Sequence, residues 1–143
     1  MIKIVIDTNI LISAALSPAG NPAKILAAIA ASEDIELVYS AGILDEYRRV
    51  LAYPRLSIDE EKQSRTIGLV KGFGVLVEPS TSTVPLPDES DRIFYDTAKT
   101  SGATLITGNA KHFPAEPFIV SPADFVANLL DAQAKGVVNG NVE

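Results

Sequence analysis

Three acidic residues come from separate segments of the sequence, and together they could bind one divalent cation. Asp7 directly follows the apolar run 2–6, whereas Glu46 and Asp91 each lie within about 60° of the apolar face of a predicted helix. Carboxylates that converge repel one another and raise each other's pKa unless a cation neutralises them. Because the chain has no cysteine and a single histidine, His112, the expected cation is Mg²⁺ or Mn²⁺.

Each of these acids, taken alone, also has an ordinary structural explanation. Asp7 could cap a turn or a helix, because Asp, Thr and Asn all favour that position. Glu46 could turn outward from the border of the buried face, as long polar side chains often do. The acidic cluster Asp88-Glu89-Asp91 could simply complement the helix dipole in a first turn. Asp88 fits this role well as the N-cap, whereas Asp91, one turn further in and on the inner side, fits it less well. The combination of the three acids favours phosphoryl-transfer chemistry, since Mg²⁺ typically binds carboxylates together with a substrate phosphate.

The apolar pattern predicts an α/β fold in which short strands alternate with helices. Runs of about five Ile, Val and Leu residues without alternation are typical of strands buried on both faces of a parallel sheet. Ligands bind beyond the carboxyl ends of such strands, where this chain has Asp7-Thr8-Asn9 and Gly108-Asn109. The predicted strands are residues 2–6, 35–39, 74–78, 103–107 and, more weakly, 118–120.

Capping residues, prolines and glycines predict helices between these strands. The stretch 79–87 is expected to be a loop, because too little chain follows it to build a second core. We therefore expect one domain over residues 1–130, and a flexible tail over the small and polar residues 131–143. The predicted helices are 22–31 with Asn21 as N-cap, 41–51 with Ser40 as N-cap, 58–71 ended by Gly72, 89–101 with Asp88 as N-cap, and 122–130.

The composition of the 143 residues excludes several classes of protein. A net charge of −6 argues against a general polyanion binder, so any nucleic acid must be held by a local basic patch or by bridging cations. The absence of cysteine excludes disulfide frameworks, thiolate zinc sites and cysteine nucleophiles. No apolar run approaches the roughly 20 residues that cross a bilayer, so we expect a soluble cytoplasmic protein that does not bind membranes.

Three segments in this order resemble PIN-domain ribonucleases, in particular the VapC-like toxins of toxin–antitoxin systems. They are IDTNIL (Ile6–Leu11), ILDEYRRVL (Ile43–Leu51) and the stretch from PDESDRIF to NAKHF (Pro87–Phe113). The resemblance implies a three-layer α/β sandwich with a central parallel five-stranded sheet flanked by helices. It also implies Mg²⁺ or Mn²⁺ as cofactor, RNA as substrate, a small antitoxin protein as partner, and a homodimer.

The family's three acids match Asp7, Glu46 and Asp91, which are therefore expected to hold the metal. Asn109 stands where many members have aspartate; it keeps an oxygen acceptor but removes a charge, so a second metal would be held less tightly. We expect Arg92 and Lys111 to contact phosphate, and the other arginines and His112 to lie on solvated surfaces. The expected catalytic residues are Asp7, Glu46, Asp91 and Asn109. The helical wheel of residues 89–101 places Arg92 and Asp96 away from the buried side. The residues expected around the catalytic ones are Thr8, Asn9, Asp88, Arg92, Asp96, Thr107 and Lys111.

The resulting hypothesis is hydrolysis of RNA phosphodiester bonds by a water that the metal activates. One alternative is a phosphohydrolase with Asp7 as nucleophile, although such enzymes need a second acid where this chain has Asn9. A further alternative is a catalytically weak or inactive domain of the same fold that binds RNA or protein.

Overall fold

The computed structural model describes residues 1–129, in which five parallel strands form a central sheet. The strands are β1 (Ile2–Ile6), β2 (Ile35–Tyr39), β3 (Gly74–Leu76), β4 (Thr104–Ile106) and β5 (Ile119–Val120). The strand order is β3-β2-β1-β4-β5, so the first strand lies in the middle, with Val5 beside Leu105 and Ile6 beside Ile106. The prediction of a parallel five-stranded α/β sandwich is confirmed.

Helices flank this sheet and connect its strands. They are α1 (Thr8–Leu16), α2 (Asn21–Ala31), α3 (Ala41–Leu51), α4 (Glu60–Phe73) and α5 (Arg92–Ser101), with single 3-10 turns at Pro54–Leu56, Glu89–Asp91 and Ala110–His112. Residues 122–129 are also helical. None of the helices in this part of the chain combines the length and the apolar content needed to cross a bilayer.

The core is densest around β1, which is covered on both faces. Ile4, Val5 and Ile6 have no exposed surface, because α5 packs on this central strand and β2 and β4 flank it. Burial of three such side chains is worth roughly 1.5–3 kcal/mol each relative to exposure. Tyr47 of α3 is also fully buried and donates a hydrogen bond to the Ile6 carbonyl, which fixes α3 against the end of β1.

Several predicted boundaries are corrected by the structure. The predicted strand 74–78 stops at Leu76 and is not buried on both faces, because β3 is an edge strand whose Val75 and Leu76 are 42% and 60% exposed. The helix predicted over 58–71 begins later, with Asp59 as its cap, and runs through Gly72 to Phe73. A Cβ at Gly74 would lie 2.3 Å from the Val70 carbonyl oxygen, so glycine is required at this tight entry into β3.

Three other helix predictions also change. No helix was predicted over Thr8–Leu16, where α1 forms directly after β1. The N-cap of α2 is Gly20 rather than Asn21, which is already the first helical residue. The helix predicted over 89–101 is divided, since Asp88 caps the 3-10 turn and α5 begins only at Arg92. The predicted tail 131–143 lies outside the described residues, and a single domain over 1–130 stays a prediction.

Candidate active site

Asp7 sits where the central strand β1 becomes helix α1. Its backbone N–H donates to the Ile106 carbonyl at 2.9 Å, which ties the ends of β1 and β4 together. One carboxylate oxygen accepts from the Thr8 N–H at 2.8 Å, and the other from the Thr107 hydroxyl at 2.7 Å. Burial raises the pKa of Asp7, and these two hydrogen bonds oppose the rise. Asp7 is therefore the cap of α1 and, at the same time, an acid at the carboxyl edge of the sheet.

Glu46 turns inward from α3 toward the same edge. Its carboxylate accepts a hydrogen bond from the Thr8 hydroxyl and lies 3.6 Å from the Arg49 guanidinium. Its neighbour Tyr47 is buried beneath β1, and the helix is positioned by its Ser40 cap, as predicted. The carboxylate of Glu46 is thus directed toward Thr8 and does not project into open solvent.

Asp91 closes the 3-10 turn before α5 and is the least satisfied of the three acids. Its Oδ2 atom is buried and has no hydrogen-bond partner, the His112 Nδ1 atom lying 3.6 Å away. Burial, and then the negative charges of Asp7 and Asp88, raise the pKa of Asp91 to about 6. An ionised Asp91 is therefore costly at neutral pH unless a cation approaches it.

Asp91, Asp88 and His112 form a close cluster of possible metal ligands. One atom from each lies within 4.8 Å of the others. Asp88 is exposed and accepts hydrogen bonds from the Ser90 N–H at 3.0 Å and hydroxyl at 2.7 Å, which lower its pKa. His112 was predicted to be a plain loop residue, but it faces Asp91 from the turn after β4.

All these acids line one pocket of about 510 Å³ at the carboxyl edge of the sheet. Asp7 and Glu46 lie in its wall without belonging to the close cluster. Asn9 and Asn109 line it as well, and the Oδ1 atom of Asn9 is buried without a hydrogen-bond partner. The structure thus brings the predicted trio into one pocket, whereas its joint binding of a metal stays a prediction.

Thr107, directly after β4, supports this pocket without lining it. Besides donating to Asp7, its hydroxyl accepts a hydrogen bond from the Asn109 N–H at 3.0 Å. Thr107 is 1% exposed, so both contacts are shielded from water. This one hydroxyl fixes an acid at the end of β1 and the backbone that presents Asn109.

The role predicted for Arg92 is corrected. Its guanidinium donates to the Glu89 carboxylate at 2.6 and 2.8 Å and to the backbone carbonyls of Ser82 and Val84 at 2.8 and 2.7 Å. These bonds hold the loop between β3 and the 3-10 turn at Glu89. Arg92 is outside the pocket lining and is occupied by protein groups rather than free for phosphate.

Asp96 and Lys111 also lie outside the pocket. Asp96 is only 4% exposed, although the helical wheel placed it on the solvent side, because the loop folds over this face of α5. Its carboxylate accepts hydrogen bonds from the Ser82 N–H at 3.1 Å and hydroxyl at 2.5 Å. Lys111 is exposed on the 3-10 turn Ala110–His112, with no place among the residues that line the pocket.

Three residues that sequence reasoning assigned to solvent or left unassigned line the pocket instead. They are Arg49, Tyr53 and Arg55, which lie where the chain turns at the end of α3. The available signal was the sequence RRVLAYPR, in which two cationic positions bracket an aromatic ring and a helix-ending proline. The periodicity of α3 gave no information about the residues beyond its last turn.

The donor set fits a hard divalent cation. It consists of carboxylate and amide oxygens with one imidazole, and it includes a buried Asp91 oxygen that has no other partner. The oxygen ligands of this set suit Mg²⁺ and Mn²⁺. Thiolate ligands are excluded, since the sequence has no cysteine.

A parallel sheet with an acidic pocket beyond its central strands is the architecture of an α/β protein that binds its ligand at the carboxyl edge. A sequence model of the PIN domain family matches residues 3–111, and the chain belongs to this family. An uncharacterized protein of Methanocaldococcus jannaschii is 36% identical over 111 residues, which cover 76% of this chain and 71% of that protein.

A solved structure with a similar fold is VapBC2 from Rickettsia felis, bound to a DNA fragment from its promoter. The TM-score is 0.56 at 15% sequence identity, and the match covers 84% of this chain and 97% of the other. At this identity the similarity concerns the fold. It agrees with the VapC-like PIN resemblance of the sequence.

Proposed function

We propose that this chain is an endoribonuclease that depends on Mg²⁺ or Mn²⁺ and cleaves RNA phosphodiester bonds. The observation that carries the proposal is the buried Asp91 oxygen without a hydrogen-bond partner, in a pocket shared with Asp7 and Glu46. PIN domains are generally metal-dependent nucleases, which supports assigning this pocket to the chemistry. When bound, the cation would supply an activated water and neutralise charge on the scissile phosphate.

The residues of the pocket have separate tasks in this proposal. Asp7, Glu46 and Asp91 would hold the cation, with Asp88 and His112 beside Asp91. Thr107 fixes Asp7 at the end of β1, and Thr8 fixes Glu46 of α3, each through a hydrogen bond from its hydroxyl. The amide oxygens of Asn9 and Asn109 line the pocket and would orient water. With Asn109 in place of an acid, we infer one tightly held cation rather than two.

The direct test is cleavage of a labelled single-stranded RNA pool by the purified chain. We expect cleavage with Mg²⁺ or Mn²⁺, none in excess EDTA, and products with 5′-phosphate and 3′-hydroxyl ends. Glu46→Gln should abolish cleavage, whereas Asp45→Asn, an exposed acid on the same helix, should leave it unchanged. Full activity of Glu46→Gln, or activity in EDTA, would contradict the proposal.

Two competing functions are separated by the same preparation. A phosphohydrolase would form an aspartyl-phosphate on Asp7 that beryllofluoride mimics, and such enzymes need a second acid where this chain has Asn9. A binding module without activity would bind RNA and Mg²⁺ weakly and cleave no RNA. Mass spectrometry of the beryllofluoride-treated protein and the cleavage assay therefore distinguish all three functions.

The proposal extends to the biological setting. The fold similarity to VapBC2 supports a role as the toxin of a toxin–antitoxin pair. We also propose that the chain acts in the cytoplasm and as a homodimer. Expression of the chain should then arrest growth, Glu46→Gln should not, and co-expression of a small neighbouring reading frame should restore growth. Light scattering that gives the mass of a single chain would contradict the homodimer.

A further inference from the structure

Two arginines and a tyrosine stand together at one side of the acidic pocket. Arg49, near the end of α3, donates a hydrogen bond to the Tyr53 hydroxyl at 2.8 Å. The Arg55 guanidinium lies over the Tyr53 ring, 5.5 Å from its centre. All three side chains line the pocket. We call them the arginine–tyrosine cluster.

The cluster is accessible to a ligand. The Arg49 side chain is 61% exposed, and its distance of 3.6 Å to Glu46 is longer than a strong ion-pair hydrogen bond. A guanidinium carries five N–H donors, of which Arg49 uses one for Tyr53. Arg55 is exposed, and Tyr53 is partly exposed. Several donors of both arginines are therefore free to bind a phosphate.

The negative net charge of the chain makes these two arginines important for binding RNA. A chain with a net charge of −6 must meet an RNA backbone with local cations, because phosphate contacts dominate nucleic-acid affinity. Arg49 follows Glu46 by three residues, which is about 4.5 Å along the helix axis. Arg49 therefore lies directly beside the acidic residues of the pocket. The acids that share the pocket with the cluster are Asp7, Glu46, Asp88 and Asp91.

We propose that the arginine–tyrosine cluster binds one nucleotide of single-stranded RNA next to the scissile phosphate; this rests on the proposed function. Arg49 and Arg55 contact the phosphate of this nucleotide, and its base stacks on the Tyr53 ring. Stacking on aromatic rings and on arginine planes requires an unpaired base, since bases in a duplex are already stacked. The cluster therefore selects single-stranded RNA over duplex RNA.

The test measures binding in an Asp7→Asn background, in which the proposed function expects no cleavage. Fluorescence anisotropy with Mg²⁺ present gives the Kd for a labelled 12-nucleotide RNA and for its blunt duplex. We expect Tyr53→Ala to raise the single-strand Kd about tenfold, as is typical for loss of one stacked base. Tyr53→Phe, which keeps the ring, should stay within about twofold. Duplex binding should be weaker and insensitive to both changes.

The arginines are tested by salt dependence. Arg49→Ala and Arg55→Ala should each reduce the slope of log Kd against log salt concentration by about 0.7, the value for one phosphate contact on a single strand. Arg65→Ala is the matched control, because Arg65 is exposed on α4 and does not line this pocket. Equal losses for Arg65→Ala would overturn the assignment, as would equal losses of single-strand and duplex binding in Tyr53→Ala.

Cleavage kinetics of the chain with Asp7 intact separate this inference from the proposed function. We expect Tyr53→Ala to raise KM with kcat within about twofold, since the cluster binds substrate without touching the reacting atoms. RNA cleavage with an unchanged KM and Kd in Tyr53→Ala overturns the cluster alone. Absence of cleavage by the unmodified chain overturns the proposed function, and absence of RNA binding overturns the cluster. Thermal melts of Tyr53→Ala, with the exposed Arg49→Ala as a second variant, exclude unfolding as the cause.

Discussion

The two walls of the acidic pocket differ in how their carboxylates are satisfied. On the wall at the strand ends, both oxygens of Asp7 accept hydrogen bonds, and Glu46 accepts one from Thr8. On a second wall, formed by the 3-10 turns Glu89–Asp91 and Ala110–His112, Asp91 has a buried oxygen without a partner beside His112. On the first wall, protein hydrogen bonds fix the carboxylates of Asp7 and Glu46. On the second wall, the ionised form of Asp91 is unfavourable, and a bound cation would stabilise it.

The largest expected effect comes from neutralising the acid on the strand-end wall. Asp7→Asn should lower RNA cleavage by more than about 100-fold, because loss of a ligand exceeds the roughly 10–100-fold cost of changing its supporting partners. The Tm should stay within about 4 °C, since asparagine also caps helices well. Initial rates and thermal melts provide the measurement. Activity near the original level would remove Asp7 from the site.

The next largest effect concerns the buried hydroxyl of Thr107, which donates a hydrogen bond to Asp7 on this wall. Thr107→Val leaves one Asp7 oxygen and the Asn109 N–H without partners, so we expect the free energy of unfolding to fall by about 2 kcal/mol. The pKa of Asp7 should rise further. Thr107→Ser keeps the hydroxyl and is the control in urea denaturation. Equal stability of the valine and serine variants would show that the hydrogen bonds of this wall contribute little.

Neutralising the acid on the second wall should change the stability in the opposite direction. The pKa of Asp91 is raised to about 6 from 3.8, so its ionisation in the folded protein destabilises the fold as pH rises through this interval. Asp91→Asn should therefore stabilise the metal-free protein at pH 7.5, by about 1 kcal/mol after allowance for solvent screening. The gain should shrink as pH falls and vanish only below about pH 3, where Asp91 is protonated in both the folded and the unfolded state. A destabilised variant at pH 7.5 would contradict the contrast between the walls.

The smallest expected effect concerns the loop that lies outside both walls. Ser82→Ala removes a hydroxyl that bonds Asp96 and Arg92, while the Ser82 N–H continues to bond Asp96. We expect a loss of about 0.5 kcal/mol in unfolding free energy. Cleavage should remain within twofold of the original rate. A tenfold loss of cleavage would assign this loop to the substrate site.

The elements that the sequence predicted best are those in which local pattern and tertiary packing agree. The bounds of β1 and of α3 with its Ser40 cap match the predictions, because a short apolar run and a strongly amphipathic stretch each fit one conformation. Helix α1 was missed because its residues are apolar around most of the helix, so periodicity gave no signal. Glu46 borders the buried face of α3, as its helical spacing predicts, because the angle between Glu46 and the buried residues is set by helix geometry alone.

The parts of the site that could not be predicted depend on how loops fold back. Arg92 and Asp96 were interpreted from the wheel of α5 alone, which contains no information on the loop that covers them. His112 and Tyr53 reach the pocket through turns after β4 and α3, whose direction is set by tertiary contacts. Spacing along a strand or helix places a side chain well, but spacing across an irregular turn does not.

Whether the acids of the pocket share one cation is best measured by isothermal titration of the metal-free chain with Mn²⁺, which requires neither substrate nor turnover. We expect binding of one ion per chain at pH 7.5, weakening toward pH 5 as Asp91 becomes protonated. Asp91→Asn should weaken this binding at least about tenfold, whereas Asp45→Asn should bind as the original chain does. Absence of binding, or equal binding by Asp91→Asn, would contradict a metal site in this pocket.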